Sequence, residues 1–151
     1  MLREIEIIDQ HYEYIVLLQP TSPLRTEIDI DKAIELLEKK SADSVISVCE
    51  MDHPPNWSNT LPDDGNMQLF FREDHSNKRS QDCDIYYRLN GAIYLVKTEK
   101  LLKEESLFLK ANTFAHCMDR YSSVDIDTEE DFLIAKCFAK DLLTIKKVDS
   151  N

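Results

Sequence analysis

Glycine is nearly absent from this chain: Gly65 and Gly91 are the two it has in 151 residues. Phosphate cradles of the GxGxxG or Walker type concentrate glycines in one short loop so that backbone N–H groups can approach the anion, and two distant glycines cannot build one. Positive charge is also scarce, with 18 Lys and Arg against 29 Asp and Glu and a net charge of −11. Nucleic-acid binding needs clustered basic side chains to displace counterions, so no nucleic-acid partner is expected. An anionic small molecule would have to be met by a local group of cations or by a bound metal. The acidity serves solubility equally well. No apolar run approaches the roughly 20 residues of a membrane span. The opening Met1-Leu2-Arg3-Glu4-Ile5-Glu6 lacks the basic-then-apolar pattern of a secretion signal. No membrane association and a cytoplasmic location are therefore expected. Cys49, Cys83, Cys117 and Cys137 form no CxxC pair, and His11, His53, His75 and His116 are scattered, which argues against a zinc site. The thiols are expected to be reduced and mostly buried.

What is present reads as an α/β domain. Tyr14-Ile15-Val16-Leu17-Leu18 is a wholly apolar, strand-forming run that stops at Gln19-Pro20. A run apolar on both faces predicts a central parallel strand, covered above and below. From Thr26 the period becomes helical, with Ile30, Ala33, Ile34 and Leu37 on one stripe, Thr26 as N-cap and Lys39-Lys40 at the negative end. Ser44–Cys49 follows as a strand, giving a strand–helix–strand crossover. Residues 51–87 are an irregular, polar excursion carrying His53-Pro54-Pro55-Asn56-Trp57 and the turn Asp63-Asp64-Gly65-Asn66, the kind of segment that serves function or an interface. Ala92–Val96 returns to the sheet. A short helix near 99–103, a strand near 113–118 and a helix from Thr128 complete the pattern. The whole chain, 1–151, reads as one domain. Burying Ile, Val or Leu is worth roughly 1.5–3 kcal/mol per side chain, and few residues precede the first strand to cover it. The expectation is of an incomplete sheet lacking its N-terminal strands.

Three segments carry chemistry. Gln19-Pro20-Thr21-Ser22-Pro23-Leu24-Arg25 sits just past a strand's carboxyl end, where open α/β sheets bind ligands. It holds an amide, two hydroxyls and a guanidinium in a proline-stiffened turn, groups that suit a sugar's hydroxyls and carboxylate. Incidental polarity in a Pro-rich turn accounts for it equally. Asp125 and Asp127 are two apart, so an extended backbone would aim both carboxylates the same way, as Mg²⁺ accepts alongside waters and phosphate oxygens. Asp127 has another reading, as the start of a capping box with Glu130. Gly91 lies within an apolar strand, where glycine marks a bulge or a close backbone approach. Asn90 and Tyr94 flank it, either as ligand contacts or as a satisfied buried pair.

Five segments in order resemble the acylneuraminate cytidylyltransferase family, the CMP-sialic acid synthetases and their legionaminic and pseudaminic acid relatives. They are Val16–Thr26, Asp43–Cys49, His53-Pro54-Pro55, Arg88–Tyr94, and Ser123–Thr128 followed by Asp131-Phe132. The resemblance implies a Rossmann-like nucleotidyltransferase sheet and a Mg²⁺-dependent transfer of CMP from CTP to a nonulosonic acid. It implies Gln19, Thr21, Ser22, Asn90 and Tyr94 as sugar contacts and Asp125 and Asp127 as metal ligands and catalytic residues. It further implies Arg79 opposite the sugar carboxylate and Phe108 at the N-acyl pocket. The family's dimers, built through the excursion, imply a homodimer contact at 51–87. Family members open with a Gly-, Arg- and Lys-containing loop that grips CTP, and these residues hold no such loop. The expectation is thus a chain inactive alone, one that works with a complementary chain, or a non-catalytic dimerisation or regulatory partner of a full-length paralogue.

Overall fold

A computed structural model describes residues 12–70 and 84–148 of the chain. Those residues build β1 (Tyr14–Leu17), α1 (Glu27–Lys40), β2 (Ser44–Glu50), a 3-10 turn at Pro55–Trp57, β3 (Tyr87–Lys97), α2 (Thr98–Glu104), β4 (Thr113–Cys117) and α3 (Glu129–Val148). The architecture is mixed α/β with an open four-stranded sheet in the order β1-β3-β2-β4, consistent with a Rossmann-like nucleotidyltransferase fold. β2 and β4 run parallel, Ser44 opposite Thr113 and Val48 opposite Cys117. β1 runs antiparallel to β3, Tyr14 opposite Lys97 and Leu17 opposite Tyr94.

This last pairing corrects the reading of Tyr14–Leu18 as a central parallel strand. β1 lies at the sheet's edge and its residues are only half-buried, with Leu17 36% exposed. An all-apolar run is what a strand buried on both faces requires, but among the described residues β1 has a neighbour on one side only. The most deeply buried strand is β3, where every residue from Asn90 to Val96 is buried while Tyr87, Arg88 and Leu89 are exposed.

Local signals place the other elements. Thr26 starts α1 by donating from both its N–H and its hydroxyl to Asp29 Oδ2, at 2.9 and 2.7 Å. The helix closes at Ser41 in the left-handed region (φ 47°), with Ala42 N–H donating to Leu37 O at 2.8 Å. In a glycine-poor chain Ser41, Glu105 and Asn112 take left-handed positions that glycine fills elsewhere. The start of α3 is shifted from the expected pair: Thr128 and Asp131 form the capping box, with Asp131 Oδ2 accepting from Thr128 N–H and Oγ1 at 2.9 and 2.8 Å. Asp127 is therefore released from the role of cap.

By contacts the chain divides into two compact units, residues up to Cys49 with those from Leu89 onward, and Glu50–Arg88. In the first, Ala33, Leu37, Ala42, Val45, Ala92, Ile93, Leu95 and Met118 form the core, and Val16, Ile30, Ile34 and Phe114 pack against it. In the second, Asn59 Nδ2 clamps the carbonyls of Leu69 and Phe70, both at 3.1 Å, and Gly65 turns the chain at φ 68°. Cys49 is buried, but Cys117 and Cys137 are exposed, against the expectation of mostly buried thiols. Alternation along β4 buries His116 and turns Cys117 outward. No helix among the described residues is long and apolar enough to cross a membrane.

Candidate functional site

The centre of the candidate site is Gly91. Its φ is +73°, and a Cβ there would collide with Gln19 Oε1 and meet Asp125 Oδ2 at 3.5 Å. The glycine marks a close approach, and what approaches are the amide that follows β1 and the carboxylate that precedes α3. The corner and the loop are tied directly, Ile126 N–H donating to Thr21 O at 2.8 Å. Arg25 fastens the corner to β3: its Nη1 donates to Gln19 O at 3.2 Å and to Ala92 O at 2.7 Å. Burial lowers the guanidinium's pKa and Asp29 opposes that shift; arginine stays a cation in proteins, and here it is held inward on two carbonyls.

Asp125 is half-buried, and its Oδ1 is buried without a hydrogen-bond partner. A buried carboxylate oxygen with no donor costs free energy unless something else supplies positive charge. That is a fit for a hard cation, which takes carboxylate oxygens together with waters and substrate oxygens. Asp127 lies exposed at the bend before α3, its N–H donating to Asp131 Oδ2 at 3.2 Å. The two carboxylates thus differ in setting, one packed against Gly91 and one facing solvent. Among the described residues no three His, Cys, Asp or Glu side chains gather as a closed metal cage.

Behind this surface runs a buried polar network. Asn90 is 1% exposed. Its Oδ1 accepts from Ser47 Oγ at 2.6 Å and Ala92 N–H at 3.2 Å. Its Nδ2 donates to Ser123 Oγ at 2.9 Å and Met118 Sδ at 3.4 Å. An amide has two donor hydrogens and two acceptor lone pairs, and here all are engaged. Ser22 is fully buried, its hydroxyl donating to Asn90 O at 3.5 Å. Asn90 and Ser22 therefore stand behind the site, while Gln19 and Asp125 meet at it and Thr21 joins them through its carbonyl. Tyr94 and Phe108 form a separate edge-to-face pair with centroids 5.6 Å apart, Tyr94 buried and Phe108 54% exposed. Arg79 lies outside the described residues. The Arg25 guanidinium, counted from sequence among the groups that suit a sugar acid, donates here to two backbone carbonyls; Ser47 and Ser123 were given no role from sequence, and the signal for Ser47 was a hydroxyl in the middle of an apolar strand.

No family model matches the chain. Similar curated proteins include the N-acylneuraminate cytidylyltransferase of Streptococcus agalactiae serotype V, 35% identical over 133 residues that cover 88% of this chain and 32% of that protein. The CMP-N,N'-diacetyllegionaminic acid synthase of Legionella pneumophila is 28% identical over 145 residues, covering 90% of this chain and 58% of its own length. The pseudaminic acid cytidylyltransferase of Campylobacter jejuni is 28% identical over 139 residues, covering 90% and 59%. The chain thus spans 32% to 59% of these relatives' length, while the resemblance extends over 88% to 90% of the chain.

Proposed function

We propose that this chain, a relative of the nonulosonic-acid cytidylyltransferases, supplies the sugar-acid and metal side of a reaction that moves CMP from CTP onto a nonulosonic acid in the cytoplasm. In that reaction the sugar's anomeric hydroxyl oxygen attacks the α-phosphorus of CTP, the bond to the β-phosphate oxygen breaks, the hydroxyl proton is lost and pyrophosphate leaves. The observation that carries this reading is the meeting of Gln19 and Asp125 at Gly91, with Asp125 Oδ1 buried and unpartnered. The Gln19 amide offers both donor and acceptor to sugar hydroxyls, with Thr21 beside it and Tyr94 and Phe108 offering an apolar wall for an N-acyl group. Asp125, assisted by Asp127, would hold Mg²⁺, which when bound neutralises charge developing on the phosphates. Arg79 is proposed for the sugar carboxylate.

These 151 residues contain no glycine- and lysine-rich loop to hold a triphosphate, so we expect the chain to need such groups from a complementary chain. Mn²⁺ titration, followed by water-proton relaxation, and pyrophosphate release from CTP, Mg²⁺ and an N-acylneuraminate test the two parts separately. The chain should bind Mn²⁺, Asp125→Asn should lose at least about ten-fold in affinity, and the chain alone should release no pyrophosphate. Equal Mn²⁺ affinity in both proteins overturns the site, and robust turnover by the chain alone overturns the incompleteness.

A second reading, a non-catalytic dimerisation or regulatory partner, draws on the unit Glu50–Arg88, whose Trp57, Leu61, Met67 and Leu69 are exposed, Leu69 by 85%. Within it, Asn59, Leu61, Pro62, Asn66, Leu69 and Phe70 are among the residues lining an open pocket of about 500 Å³. We propose segment 51–87 as the contact of a homodimer or of the pairing with a longer paralogue. Light scattering on the purified chain, alone and mixed with that paralogue, distinguishes the cases.

A further inference from the structure

We propose that Asn90 is a positioning residue, not a ligand contact: through Ser123 it sets the loop that places Asp125 against Gly91. This rests on the reading of Asp125 as a cation ligand. The loop from Asp119 to Asp127 has no regular structure, so its path depends on the bonds that pin it. Asp119 folds its first turn, Oδ1 accepting from Ser122 N–H at 2.8 Å and Oδ2 from Ser122 Oγ at 3.1 Å. Asn90 Nδ2 donating to Ser123 Oγ and Ile126 N–H donating to Thr21 O, both within 3 Å, attach it to the sheet side on either side of Asp125. Asp125 lies between these pins, one residue from the second and two from the first.

The first pin is rigid because both partners are fully committed. Ser123 is 0% exposed, and while its oxygen accepts from Asn90 its hydroxyl hydrogen goes to Asp119 O. Asn90 is in turn fixed by Ser47 on β2, and Ser47 Oγ accepts from Ile93 N–H at 2.7 Å. The chain Ile93–Ser47–Asn90–Ser123 thus carries the register of two central strands into the loop. Asn90 and Gly91 are adjacent, so one stretch of β3 both holds the loop and leaves the space into which Gln19 and Asp125 project. With every hydrogen-bonding position of its amide occupied inside the protein, Asn90 has none for a ligand.

The test compares Asn90→Ala, Ser123→Ala and the double variant by two readouts. Amide hydrogen exchange at Ile126 should speed up by about 3- to 10-fold, the effect of losing one neutral hydrogen bond, while exchange at Ile46 and Leu95 in the sheet stays unchanged. Mn²⁺ affinity should fall by a similar factor, and the double variant should fall short of the sum of the single ones, because both lack the bond between Asn90 and Ser123. Should Asn90→Ala fail to fold, Ser123→Ala carries the same test. Unchanged Ile126 exchange in Ser123→Ala, or additive effects in the double variant, overturn the proposal. If wild type binds no Mn²⁺ while Ile126 exchange responds as described, the positioning stands and the cation reading fails. Mn²⁺ bound equally by all variants, with exchange unaltered, leaves the cation site standing and removes Asn90 from it.

Discussion

Replacing Gly91 by alanine tests whether the site is built around the absence of a side chain. The backbone there has φ +73°, and an L-residue in the left-handed region costs roughly 1–2 kcal/mol. Alanine's smaller loss of chain entropy on folding returns about 0.4–1 kcal/mol, so backbone effects alone leave a net loss of about 1 kcal/mol. Crowding adds a separate cost. The new Cβ would overlap Gln19 Oε1, the end of a flexible side chain, so Gln19 should swing away and leave Asp125 Oδ2, 3.5 Å from the same point, in ordinary contact. The distinguishing measurement is a double-mutant cycle in urea. Gly91→Ala alone should lose about 1–2 kcal/mol at constant m-value, and in the Gln19→Ala background the loss should shrink by about 0.5–1 kcal/mol. For a domain of this size each kcal/mol corresponds to about 2–4 °C in Tm. Gly65, with φ +68° and nothing within 4 Å of its added Cβ, should show strain without coupling. A Gly91→Ala variant that matches wild type, or a cycle with no coupling to Gln19, refutes the reasoning.

Two pH-linked predictions follow from groups away from the site. His116 is 8% exposed, and burial lowers its pKa, with Asp29 opposing and Lys32 reinforcing the shift. The unfolded chain therefore takes up the proton first: stability should be complete above about pH 6.5 and fall as pH drops from there toward the folded pKa. His116→Leu should flatten that slope, as urea midpoints at pH 5.5 and 7.5 would show. Asp43 meets Lys97 at 3.4 Å and Lys100 at 3.2 Å. Burial pushes its pKa up, but the bonds from Lys100, Asn112 and Lys97 outweigh that and hold it below the ordinary carboxylate range. Its contribution is present above about pH 4 and lost as pH falls through the folded pKa. Asp43→Asn should cost about 1 kcal/mol at pH 7 and much less near pH 3, and a variant equal to wild type at neutral pH would refute this.

Most elements were legible because their signals are local. The stripe Ile30, Ala33, Ile34, Leu37 and the Thr26 cap fix α1, and the apolar runs around Val45 and Ile93 fix β2 and β3. The position of β1 was not legible, because an all-apolar run reports what a strand can bury and not whether neighbours are there to bury it. At the site, Gly91 signalled a close approach, but only the fold identifies Gln19 and Asp125 as what approaches, since they lie more than seventy positions from one another in sequence. The division of labour between Asn90 and Gln19 was hidden for the same reason. Gln19 ends one apolar run and Asn90 lies within another, and whether the Asn90 amide is free or spent depends on Ser47, Ser123 and Met118, which sequence does not place beside it.

The half-covered β1 bears on how the chain behaves in a test tube. Tyr14-Ile15-Val16-Leu17 carries no charge, proline or bulge to discourage another strand from adding alongside. Backbone groups on its outer margin are taken up by no described strand. Mutual repulsion from a charge of −11 is what keeps such margins apart at low ionic strength, and salt screens it. Clumping of the purified chain is therefore expected to rise with added salt, and Leu17→Lys, at the exposed residue of this margin, should reduce it.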